Sequence, residues 1–173
     1  MPFIRKILIG YPYIVVNLAS RWAGLYVPNG NPKNIKGWSD LAKPGLVMVN
    51  REVGSGTRVL LDEQLRLKGI SSGQINGYKQ EESNHLAAAG KVANGQADVG
   101  VGIEMAAAMV GVDFIPLIKE RYDLVMIKWP NNKEWISMIR SILLSESFKS
   151  ELASIRGYDL SMTGRVIWET GKE

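Results

Sequence analysis

Residues 50–58, N-R-E-V-G-S-G-T-R, combine residue types and spacing that suit anion recognition. They lie between an apolar run at 46–49 and a helix-like run at 59–67, which reads as strand, Gly-rich turn and helix start. Ser55 and Thr57 stand where an N-cap hydroxyl belongs, and Gly54 and Gly56 free the backbone to turn its N–H groups toward one point. The first N–H groups of a helix lack intrahelical partners and carry the positive end of its dipole, so such a junction attracts anions. The same residues would also serve a helix cap and tight turn with no ligand. Arg51 and Arg58 flank the turn; each either neutralises a bound anion by bidentate contact or forms a salt bridge.

Composition narrows the chemistry further. The 173 residues are 46% hydrophobic and 22% charged, enough for one globular domain or two small lobes. The net charge of +4 comes from 21 Lys and Arg spread among 17 acids rather than gathered in blocks, which favours a small anion over nucleic acid. The absence of cysteine excludes disulfides, cysteine metal sites and thiol nucleophiles. There is no H-E-x-x-H, no Walker glycine-lysine loop and no Ser-His-Asp set, and His85 is the one histidine, so recognition rather than catalysis is expected. Gly100-x-Gly102 is too short for a dinucleotide fingerprint; these glycines let a strand and helix pack closely.

Positioning elements follow from periodicity. Arg5 and Lys6 precede the apolar stretch 7–19, but Tyr11, Pro12, Tyr13 and Asn17 interrupt it, so 14–18 reads as a strand and not as a secretory signal. No apolar run reaches the ~18 residues of a membrane span. A soluble chain is expected, cytoplasmic rather than periplasmic or extracellular. A strand at 23–27 leads to P-N-G-N-P at 28–32, a crossover by its prolines and glycine. A short helix at 38–42, the strand at 46–49 and the helix capped by Ser55 and closed by Gly69 come next. Ser83 is then expected to cap a helix at 84–93, followed by a strand at 97–103 and a short helix at 105–110. Strands at 114–117 and 122–127 flank K-E-R-Y-D, 119–123, read as a second crossover. Helices at 134–144 and 146–155 precede a tail from Gly157 read as loop. Strands alternating with helices indicate an α/β sheet. The crossovers predict an inserted lobe at 31–119, with 1–30 and 120–173 forming the other.

Five ordered stretches carry a family resemblance: G-L-Y-V-P-N-G-N-P-K-N-I from Gly24, N-R-E-V-G-S-G-T-R-V-L-L-D-E from Asn50, G-Y-K-Q-E-E-S-N-H-L-A-A-A from Gly77, G-Q-A-D-V-G-V-G-I-E-M-A-A-A from Gly95 and D-F-I-P-L-I-K-E-R-Y-D-L-V from Asp113. Together they resemble the type 2 periplasmic-binding-protein-like domain of the molybdate-binding family. The resemblance implies two lobes joined by a hinge near Pro28 and Tyr122, with the N-terminal part of the first lobe lacking ahead of Met1. It implies binding of molybdate or tungstate, for uptake through a transporter or for sensing by a fused DNA-binding regulator or molybdopterin-biosynthesis protein. It implies no cofactor, and a fragment that no longer binds would act through association, including with a second copy.

The same resemblance directs attention to three loops of the inserted lobe. They are Gly54, Ser55, Gly56, Thr57 and Arg58; Ser83, Asn84 and His85; and Gly102, Ile103 and Glu104. His85 either senses pH and donates to an oxygen or makes a structural hydrogen bond. A carboxylate such as Glu104 repels an anion unless it takes a proton from it, pairs with Arg51 or Arg58, or contacts the oxyanion's metal centre directly.

Overall fold

A computed structural model of the chain describes residues 2–171. In chain order it contains helix α1 (Pro2–Ile7), strand β1 (Tyr13–Val27), a 3-10 turn (Trp38–Ala42), β2 (Met48–Arg51), α2 (Gly56–Leu67) and β3 (Glu81–Glu82). There follow α3 (His85–Ala93), β4 (Val99–Ile103), α4 (Glu104–Val110), β5 (Asp113–Ile127), α5 (Lys133–Leu144), α6 (Glu146–Ala153), β6 (Tyr158–Asp159) and β7 (Val166–Glu169). The fold is α/β with a mixed sheet. No helix among the described residues is long and apolar enough to cross a membrane. Two compact units divide at Ser20/Arg21 and at Lys119/Glu120; the first division falls inside β1 and not near residue 30.

The sheet has the strand order β3-β2-β4-β1-β5; β3, β2, β4 and the parts of β1 and β5 after Ser20 and before Glu120 lie in the unit Arg21–Lys119. Strand β2 runs parallel to β3 (Asn50↔Glu81) and to β4 (Met48↔Val99), whereas β1 is antiparallel to β4 (Ala23↔Ile103). Strands β2 and β4 are buried along their whole length, as a parallel sheet covered on both faces requires. On one face Leu25, Val27, Met48, Val99 and Val101 pack with Leu61 and Leu65 of α2 and with Trp38 and Leu41. On the other, Tyr26, Val49 and Ile103 pack with Ala88, Ala89 and Val92 of α3 and with Ala106 and Ala107 of α4. The alanines let both helices lie close to the strands. Gly77, at φ 83°, passes so near β2 that any Cβ there would overlap the Met48 carbonyl oxygen.

The second unit is smaller and has a thinner core. Ile14 and Val16 of β1 meet Leu143 of α5, with Leu124, Met126, Ile136, Ile139 and Phe148 around them. Asn17 Nδ2 donates to the Tyr122 carbonyl at 3.2 Å and to Asp123 Oδ1 at 3.0 Å.

Three sequence expectations give way to longer or additional strands. The segments at 14–18 and 23–27 belong to one strand, β1, because the polar residues between them are extended rather than turned. Residues 114–127 lie within one strand, β5, so K-E-R-Y-D is not a break; β5 ends the strand order, where charged side chains and Pro116 are tolerated. The tail after Gly157 contributes β6 and β7, and β7 pairs antiparallel with β1 (Ile14↔Glu169), a long-range pairing that local periodicity does not reveal. Leu61 is fully buried, and Leu61→Ala is expected to lower unfolding free energy by about 2–5 kcal/mol, read as a reduced urea midpoint at unchanged slope.

Candidate functional site

Parallel pairing brings the three sequence-predicted loops to one edge of the unit Arg21–Lys119. Strands β3, β2 and β4 all end there, and α3, α2 and α4 respectively follow. Carboxyl ends of parallel strands are where open α/β sheets hold ligands.

The loop after β2 is built as its residue types dictate. Gly54 takes φ 91°, a value that L side chains rarely adopt. Ser55 is the N-cap of α2: Oγ accepts from the Arg58 N–H at 3.3 Å and donates to the Glu52 carbonyl at 2.9 Å. That hydroxyl's proton is spent on the turn. Gly56 and Thr57 occupy the first two helical positions, whose N–H groups have no intrahelical acceptor. Thr57 is 4% exposed, and its hydroxyl makes no hydrogen bond to any described residue.

Two buried arginines hold the surrounding backbone. Arg58 Nε donates to Asp62 Oδ1 at 3.1 Å, and its NH1 group donates to Glu81 Oε1 at 2.8 Å and to the Arg51 carbonyl at 3.0 Å. The Arg58 guanidinium lies 4.3 Å over the Tyr78 ring, whose hydroxyl donates to Asp62. This bond to Arg58 holds the Glu81 carboxyl below the usual carboxylate range. Arg51 is 6% exposed; it donates through Nε to the Glu82 carbonyl at 3.1 Å and through NH2 to the Ser83 carbonyl at 3.0 Å. Its NH2 also lies 3.7 Å from Glu52 Oε1. Both arginines thus fasten the loops together.

At the second loop the cap is Asn84 and not Ser83: Asn84 Oδ1 accepts from the Ala87 N–H at 2.8 Å. The Asn84 amide reaches the N–H three residues on as Ser83 would have done one turn position earlier, so α3 begins at His85. His85 Nδ1 is buried without a hydrogen-bond partner. Burial, reinforced by the charges of Arg51 and Arg21, pushes the His85 imidazole down to about 4.

The third loop differs from the other two. The Ile103 N–H donates to the Tyr26 hydroxyl at 2.7 Å, so it has no vacancy for a ligand. Gly102 is glycine because a Cβ would overlap that hydroxyl. Burial raises the Tyr26 phenol well above its ordinary value, and it stays neutral. Glu104 is the first residue of the seven-residue α4 and already has an interaction of its own.

Arg21, Tyr26, Tyr78, Asp62 and Glu81 were not singled out by sequence. The register Ala23↔Ile103 sets Arg21 near the end of β4, a long-range pairing with no local signal. Tyr78 and Glu81 do lie within the G-Y-K-Q-E-E stretch and could have been found as partners for Arg58. Among the described residues no group of three metal-ligating His, Cys, Asp or Glu side chains is present.

Gly102→Ala should cost about 1–3 kcal/mol by overpacking and weaken the bond from Ile103, visible as a lowered urea midpoint. His85 gives a pH signature. Its folded pKa lies below the unfolded value of 6.5, so the unfolded chain binds the proton first and stability erodes as pH falls from about 6.5 toward 4. Thermal melts should fall across pH 6.5 to 5, ahead of the carboxylates, and His85→Gln should flatten that limb.

Comparison with known proteins bears on the whole chain. The PBP superfamily domain matches residues 1–143. The uncharacterized protein YvgK of Bacillus subtilis (strain 168) is 48% identical over 169 residues, which is 98% of this chain and 54% of YvgK. The chain spans about half the length of that relative. The ancestral amino acid-binding protein AncCDT-1, a precursor of cyclohexadienyl dehydratase, superposes with TM-score 0.58 at 17% identity, over 89% of this chain and 63% of that one. The substrate binding domain of a putative molybdenum ABC transporter from Clostridium difficile gives TM-score 0.58 at 17% identity, over 84% and 66%. At such identity the likeness concerns the fold alone. With the α/β layers, the parallel strand ends and the family match in agreement, the chain belongs to the periplasmic-binding-protein (PBP) superfamily and has the type 2 fold.

Proposed function

We propose that the unit Arg21–Lys119 binds a small oxyanion, molybdate or tungstate, at the carboxyl ends of β2 and β3. One observation carries this reading: the helix starts of α2 and α3 share an edge with the buried Arg51, and the hydroxyl of the largely buried Thr57 makes no hydrogen bond to a described residue. The N–H groups of Gly56, Thr57 and His85 and the Thr57 hydroxyl are the donors; Arg51 supplies charge through the field rather than by leaving its carbonyl partners. Ser55 and Asn84 shape the helix starts by capping, and Arg58 locks the turn. The five-stretch resemblance to the molybdate-binding family and the fold shared with the molybdenum transporter domain support the choice of ligand. Uptake through a transporter and sensing by a fused regulator or molybdopterin-biosynthesis protein use the same binding step. A second reading, an amino acid held by its carboxylate at the same donors, is favoured by the likeness to AncCDT-1.

A thermal-shift titration with molybdate, tungstate, sulfate, phosphate and free amino acids at matched ionic strength separates these readings. A native-state ligand at ~100 times its Kd adds ~2.7 kcal/mol, and a selective shift with molybdate or tungstate is expected. Thr57→Val should keep the fold and weaken binding roughly tenfold or more, as loss of a hydrogen bond to a charged group does. Unchanged affinity in that variant sinks the assignment of the loop after β2, and a shift with amino acids alone sinks the oxyanion.

A further inference from the structure

We propose that His85 couples anion binding at this site to the uptake of one proton, so that the site holds its ligand more tightly as pH falls. The inference rests on the oxyanion reading above and goes beyond it, because nothing in an anion site built from N–H donors requires a titrating group.

The geometry is unusual for a lone histidine. His85 is the first residue of α3, at the edge where β3 and β2 end, and its Nδ1 is enclosed by protein yet meets no donor or acceptor. That nitrogen is unsatisfied in either neutral tautomer, as a lone pair or as an N–H.

Burial first, and then two cations, keep the ring neutral while the site is empty. The cations are Arg51 on β2 and Arg21 on β1, and the positive end of α3 acts in the same sense. The other ionisable groups on the elements packed against α3 offer no offset. Tyr26 on β1 remains a neutral phenol whose oxygen accepts from Ile103. The Glu82 carboxylate on β3 lies 3.7 Å from Lys91 Nζ of α3 itself, and Glu104 on α4 is already engaged.

A divalent oxyanion reverses this balance. Its charge, set beside the ring on the His85 backbone N–H, offsets the two guanidinium groups; the proton arrives from solvent, and the imidazolium attracts the anion by its charge. By linkage, whatever raises proton affinity on ligand binding raises ligand affinity on protonation by the same factor. The arrangement makes the site weaker in neutral surroundings and stronger in mildly acidic ones.

The test is calorimetry on the intact chain with molybdate and tungstate, kept dilute enough to stay monomeric, between pH 5.5 and 8 in two buffers of different ionisation heat. Wild type should take up a net fraction of a proton, up to one per anion, and its Kd should fall by up to about tenfold per pH unit toward the acid end. His85→Gln should bind with a Kd flat in pH. A flat Kd and no proton uptake in wild type overturn the coupling and leave the oxyanion reading intact. So does a slope retained in His85→Gln. No binding of either anion at any pH overturns both. Should His85→Gln fail to fold, as judged by circular dichroism, the wild-type proton number from the two buffers decides alone.

Discussion

Burying a guanidinium deprives it of water, and the loss is tolerable only when its N–H groups find acceptors in fixed positions. Two such groups, Arg51 and Arg58, lie within a few residues of each other and solve the problem jointly. The Arg51 carbonyl takes a bond from Arg58, while the Arg51 guanidinium bonds the Glu82 and Ser83 carbonyls. The end of β2, the start of α2 and the passage from β3 to α3 are thereby held at one spacing. The backbone donors of the proposed site owe their mutual position to this arrangement. A binding site that closes on a small rigid anion needs such positioning from its scaffold, since the ligand offers too few contacts to organise loops by itself.

The two arginines also illustrate how a residue can serve a charged ligand without touching it. Their hydrogen bonds go to protein, yet the charge of Arg51 still acts on the neighbouring His85, where it adds to the effect of burial. By sequence Arg51 and Arg58 are either ligand contacts or salt-bridging residues; in the structure Arg58 pairs with Asp62 and Glu81, and Arg51 bonds the Glu82 and Ser83 carbonyls.

Local chemistry was legible wherever a short stretch decides its own conformation. Ser55 as a cap, Gly54 in a turn and the helix after them follow from N-cap and glycine preferences that act over four residues. Strand continuity was not legible, because the polar residues between the apolar ends of β1 and of β5 look like turns unless the pairing partner is known. The short β7 was invisible for the same reason: Val166 to Glu169 has too little length for periodicity to register. In the site itself, the types of residue at each loop were readable, but which donors remain vacant was not. That depends on Tyr26, 77 positions from Ile103, accepting from one N–H, and on the Ser55 hydroxyl donating to the Glu52 carbonyl.

The pairing of β7 with β1 has a temporal side. The register joins Ile14 to Glu169 and Val15 to Trp168, so the beginning of β1 gains that neighbour only when nearly all of the described chain is present. Contacts of such sequence separation are slow to form, because the closure entropy of the intervening loop is lost before the pairing repays it. On a ribosome making some 5–20 residues per second, Ile14, Val15 and Val16 wait for several seconds without the partner that lines them in the finished fold. During that interval β2, β3 and β4 and the parts of β1 and β5 within Arg21–Lys119 are already present to pair with one another.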